Sequence, residues 1–120
     1  MKSTARLVAL VTPLRPRDIE PVTLLNLIDS GTAPPVLDVR SAAEFRRGHV
    51  PGAVHIPFQS VAWRLHHVPG ATGDTVIVYC GHGPRAYLAA LALRRWAGRR
   101  VQFLQGHWSA WLRAGLPVER

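Results

Sequence analysis

The stretch VIVYCGHGPRAYLAALALRRWAG, residues 76–98, runs from a short apolar segment straight into a long helical one. Cys80, the only cysteine in the chain, stands at the junction. Residues 75–80 are rich in β-branched side chains and predict a buried strand. Pro84 suits the first turn of a helix and Gly98 its end, so residues 84–98 predict the strongest helix of the chain. A strand that feeds a helix within a few residues is the repeating unit of a parallel α/β sheet.

Working outward, strand-like and helix-like segments keep alternating. Residues 7–11 (LVALV) read as a first strand, and residues 18–31 as a helix closing at Gly31. Residues 34–39 (PPVLDV) form a short apolar strand after a proline stop. Residues 41–48 (SAAEFRRG) follow at once as a helix, with Ser41 as N-cap and Glu44 at the capping-box position. Residues 53–57 predict another brief strand, 58–68 a helix, 101–105 a last strand and 107–115 a last helix. The expected fold is α/β, a central parallel sheet with helices on both faces. In such sheets the ligand crevice lies beyond the carboxyl ends of the strands, which is where residues 75–80 deliver Cys80.

Length and composition limit the alternatives. At 120 residues, 48% of them hydrophobic, the chain fits one globular domain over 1–120 with a real core; residues 1–15 are an N-terminal segment that the pattern specifies weakly. The apolar run at 7–11 is too short for a signal-peptide core or a membrane span, so no membrane association and a cytoplasmic location are expected. The net charge of +8 comes from fourteen arginines and one lysine against seven acids. The arginines are scattered in pairs among apolar residues with no basic run, which argues against a nucleic-acid partner.

One cysteine cannot form an internal disulfide, so Cys80 is a buried filler, an intermolecular crosslink site or a reactive thiol. Its neighbours favour the last. A sulfur at a helix N-terminus meets unpaired N–H groups and the positive end of the helix dipole. Gly81 and Gly83 let the intervening backbone curl so that successive amides converge as an anion nest. Pro84 offers no amide, which leaves residues 81, 82, 83, 85 and 86 as donors. Arg85 adds a cation, and such a setting favours thiolate. The chemistry expected is attack by a thiolate on an anionic substrate whose charge the same amides hold.

Residues 37–57 (LDVRSAAEFRRGHVPGAVHIP), 76–86 (VIVYCGHGPRA) and 104–119 (LQGHWSAWLRAGLPVE) resemble the three successive signatures of single-domain rhodanese-like sulfurtransferases. The resemblance spans residues 36–119 and implies a five-stranded parallel sheet in the order 1-5-4-2-3 with helices on both faces. It further implies that Cys80 takes a sulfane sulfur as a persulfide from a small anionic donor such as thiosulfate. The sulfur then passes to cyanide, a thiol or a protein acceptor, without a cofactor. Gly81, His82, Gly83, Pro84 and Arg85 become the loop that binds the anion and the persulfide, with Ala86 opening the helix. A persulfide carrier that accepts sulfur from a protein partner is the alternative. A phosphatase or arsenate reductase fits less well, because those relatives place five residues between cysteine and arginine and this chain has four. Two positions depart from the family pattern. His107 follows Gly106 where many members have a second glycine, and Ala86 stands where a serine is frequent.

Asp38 and Arg40 end a predicted strand, and their expected role is an ion-pair network fastening the strand ends around the thiol loop, with Arg40 acting on the site from behind. His49 and His55 are expected to be hydrogen-bonded scaffold. His66 and His67 are adjacent and do not share a helix face, and no metal-ligand spacing occurs, so no metal site is expected. Trp108 and Trp111 lie three apart on the last helix, one expected in the core and the other at the pocket mouth. Trp63 and Trp96 are expected to pack.

Overall fold

The structure, a computed structural model, describes residues 18–120. The strand expected at residues 7–11 lies outside the described residues. Four parallel strands, β1 (Val36–Asp38), β2 (Val54–His55), β3 (Thr75–Tyr79) and β4 (Arg100–Phe103), form a sheet in the order β2-β1-β3-β4. Beyond β4 the next position is held by one parallel bridge between Ile19 and Leu104, closed by hydrogen bonds from Ile19 N–H to Phe103 O and from Gln105 N–H to Ile19 O, both 2.8 Å. The strand order is therefore the expected one, but with four described strands rather than five. Pro21 opens a helix two residues after Ile19 and takes the chain off the sheet edge.

Among the described residues four α-helices complete the layers: α1 (Pro21–Asp29), α2 (Ala42–Arg47), α3 (Pro84–Ala97) and α4 (His107–Arg113). Alternation along the strands assigns the faces. Leu37, Val39, Val76, Val78 and Val101 point to one side, where they meet the small-residue stripe Ala86, Ala89 and Ala90 of α3. Val36, Ile77, Tyr79 and Leu104 point to the other, against Leu24 of α1 and Trp111 of α4. The capping box of α2 forms as its sequence predicts, with Ser41 Oγ accepting from Glu44 N–H and Glu44 accepting from Ser41 N–H. Among the described residues no helix is long and apolar enough to cross a membrane.

Two expectations fail locally. Residues 58–68 form two 3₁₀ helices, Phe58–Trp63 and Leu65–His67, rather than one α-helix. The core-facing residues Phe58 and Val61 are three apart, a spacing that three residues per turn satisfies, and Pro57 and Pro69 confine the segment. Trp63 and Trp96 do not pack: they are 81% and 66% exposed. On α3 the alanines and Leu93 face the sheet, and Trp96 lies on the outer side.

Asp38 and Arg40 are both buried and pair at the carboxyl end of β1. Arg40 donates from Nη2 to Asp38 Oδ2 at 2.7 Å and to Gly48 O at 2.7 Å, and Tyr79 donates its hydroxyl to Asp38 Oδ2 at 2.6 Å. Tyr79 in turn accepts from Val50 N–H. This network ties β1, β3 and the turn after α2 together. Asp38→Ala would leave a buried guanidinium without its carboxylate and is expected to cost about 3–5 kcal/mol. Urea denaturation measures it; a loss below about 1 kcal/mol would show that the strand ends do not depend on the pair.

Candidate active site

Cys80 leaves β3 into the crevice between the ends of β1 and β4, and α3 starts four residues later. Its Sγ accepts from Gly83 N–H at 3.0 Å, and the nearby N–H of Ala86 also favours the thiolate. Gly83 has φ +139, a conformation that side-chain-bearing residues rarely adopt, and a Cβ there would sit 3.3 Å from the Tyr87 ring and 3.5 Å from His107 Nε2. Glycine at 83 is thus what lets the loop curl its amide onto the sulfur. Of the five expected amide donors, Gly83 donates to the sulfur directly and Ala86 favours its thiolate.

Cys80 itself is only 1% exposed. Burial pushes its thiol up. The His107 ring and the N–H groups of Ala86 and Gly83 outweigh that burial and bring the thiol down from its ordinary 9.0 to about 7. Arg85, the cation expected beside the thiol, is not among the leading causes. Its guanidinium is engaged by the Glu44 carboxylate, with Nη1 on Oε1 at 2.7 Å and Nη2 on Oε2 at 3.1 Å. It still reaches the sulfur electrostatically and lies over Gly81.

The opposite wall comes from the turn into α4. Gly106 (φ +72) and His107 (φ +56) are consecutive left-handed residues. They swing the helix so that Trp108 N–H donates to Cys80 O at 2.9 Å and Ser109 N–H to Gly81 O at 3.3 Å. Ser109 gives its hydroxyl proton to Gly81 O at 2.9 Å, leaving Oγ to accept from His82 Nδ1 at 2.9 Å. The loop is therefore clamped by its carbonyls, which leaves its amides for the sulfur.

Asp38 and Arg40 do not touch Cys80. Arg40 lies 4.5 Å over the Trp108 ring, whose backbone N–H holds the Cys80 carbonyl. Trp111 is buried in the core, as expected, whereas Trp108 lines, with Arg40, Glu44, Arg47 and Arg120, an open cavity of about 360 Å³ that includes none of residues 80–86. His49 and His55 are hydrogen-bonded to backbone carbonyls, of Phe45 and Arg40 respectively. Two residues at the site escaped the sequence reading in these roles. Glu44, read only as a cap, binds a residue 41 positions away, which no local pattern reports. His107, noted only as a departure, had a usable signal: it lies four residues past the end of β4, the strand next to β3, at the crevice end of the sheet.

Comparison with known proteins adds the relatives. A family model for the rhodanese-like domain matches residues 20–114. A sulfurtransferase of Allochromatium vinosum is 34% identical over 83 residues, covering 69% of this chain and 76% of that protein. YrkF of Bacillus subtilis, whose name marks it as a candidate sulfur carrier protein, is 31% identical over 74 residues, 62% of this chain and 39% of that protein. Among solved structures, a rhodanese-related protein of Thermoplasma volcanium superposes with a TM-score of 0.72 at 26% identity, covering 86% of this chain and 97% of that one.

The Glu44–Arg85 pair makes a pH prediction. Arg85 first, despite partial burial, and then the Ser41 cap hold the Glu44 carboxyl at about 2 against its ordinary 4.5. Its stabilisation is complete above the unfolded value and fades as pH falls toward the folded one. Because both side chains are 31% exposed, the contribution is small. Carbon-13 titration of Glu44 should show a midpoint near about 2 that moves up in Arg85→Ala. An ordinary midpoint in the wild type would contradict the pairing.

Proposed function

The chain belongs to the rhodanese-like domain family, and from that premise we propose that it is a sulfurtransferase working through a persulfide on Cys80. The observation that supports this most is the 3.0 Å hydrogen bond from Gly83 N–H to Cys80 Sγ at the mouth of α3, inside a loop with four residues between cysteine and arginine. A phosphate ester needs a wider ring.

With thiosulfate as donor, the Cys80 thiolate attacks the outer sulfur. An S–S bond forms, the S–S bond to the sulfonate breaks, and sulfite leaves with the electron pair. The terminal persulfide sulfur is then the anion that the amides of residues 81–83, 85 and 86 surround. Cyanide attacks that sulfur through carbon, releasing thiocyanate and restoring the thiolate; a thiol acceptor leaves as a persulfide instead. Arg85 and His82 border the incoming anion, and Arg40 acts through Trp108. A cytoplasmic location belongs to the same proposal, since a reducing compartment keeps the thiol free.

The likeness to YrkF and the net charge of +8 favour a second reading, a persulfide carrier docked by an acidic protein partner. Added salt should then weaken the association.

Intact-protein mass measured before and after thiosulfate decides between them. One added sulfur atom, removed by cyanide and absent in Cys80→Ser, is expected. Loading by polysulfide but not thiosulfate would favour the carrier, and no loading by either would overturn both.

A further inference from the structure

His107 is the one residue other than glycine with a left-handed backbone among the described residues (φ +56), and it is buried. Such a position suits glycine, so a side chain placed there must be held by contacts made elsewhere. The contacts are at the thiol. Nδ1 accepts from Cys80 N–H at 3.2 Å. In the neutral ring that bond fixes the proton on Nε2, and Nε2 lies against Gly83 of the loop, in the space left by that glycine's missing side chain. The ring also acts on the sulfur electrostatically, lowering the Cys80 thiol. Tyr87 of α3 meets it edge-on at 6.1 Å and Phe103 of β4 lies 6.1 Å away, closing the remaining sides. The titratable groups against the ring are thus Cys80 and Tyr87, with Arg94 on Phe103 beyond.

We propose that His107 is a positioning residue for the Cys80 sulfur: its imidazole, wedged between the end of β3 and the thiol loop, orients the cysteine and favours the thiolate over the thiol. The same turn serves two ends. Its left-handed pair aims Trp108 and Ser109 N–H at the loop carbonyls, while the His107 side chain reaches the sulfur from the far side. Glycine at 107 would supply the first and not the second.

The assignment rests on the sulfur-carrier reading only for its catalytic consequence, because the ionisation of the thiol is measurable without any sulfur donor. His107→Gly suits the backbone and His107→Asn tolerates it while offering an oxygen to Cys80 N–H. Thiolate absorbance, taken against Cys80→Ser as blank, gives the titration midpoint of each. Both variants should titrate above the wild type by about one pH unit, cutting the thiolate at pH 7 about fivefold, with circular dichroism showing the fold retained. A wild-type midpoint in the glycine variant, or its full recovery by asparagine, would overturn the role of the imidazole. Thiosulfate loading of the same samples separates the two claims. A midpoint that shifts in a protein that never loads would sink sulfur transfer from thiosulfate and leave His107 in place; loading with an unmoved midpoint would do the reverse.

Discussion

The hydrogen bond from Gly83 N–H to the Cys80 sulfur, supported by the Ala86 N–H, is the contact around which the site is arranged. A thiol at 1% exposure should be inert, since taking an anion out of water is costly. Here the folded chain supplies donors in place of water. Lowering the thiol from 9.0 to about 7 in spite of burial corresponds to about 3 kcal/mol in favour of the thiolate. The distinction between a buried filler and a reactive thiol is therefore drawn by the direction of the amides around the sulfur. Cys80 joins one face of the core just beyond the end of β3, and it is hydrogen-bonded like a bound anion.

Much of this was legible in the chain. The alternation of strands and helices, Cys80 at a strand end and proline opening α3 follow from local rules of periodicity and capping. So did the glycine-bearing loop, because a converging set of amides requires residues without Cβ at a turn. What stayed hidden was non-local. The Glu44 carboxylate reaches Arg85 only after β1 and β3 have paired, and nothing in SAAEFRRG reports it. Residues 58–68 carry apolar spacings compatible with either helix type, and confinement between two prolines decided for the tighter one. Trp63 and Trp96 show the limit of reading hydrophobicity as burial: on α3 the face toward the sheet is taken by the alanines and Leu93, and Trp96 falls on the other.

The turn at Gly106 and His107 shows how a local conflict can mark a site. A histidine with φ +56 opposes backbone preference by roughly 1–2 kcal/mol, yet the chain keeps it where glycine would relax the strain. Contacts to Cys80 offset that cost. Behind the site, the buried Asp38–Arg40–Tyr79 network gives the loop a stiff support, with Arg40 stacked on Trp108 and Trp108 holding the Cys80 carbonyl. Strain in the turn and rigidity in the network act on the same few atoms.

The central claim is that main-chain amides hold an ionised sulfur, and proton–nitrogen NMR reads those amides directly. Across a pH titration the Gly83 and Ala86 signals should move together through one midpoint near about 7, and the movement should vanish in Cys80→Ser. Loop amides that ignore the ionisation of Cys80, or that follow it only in the ordinary thiol range, would contradict the account.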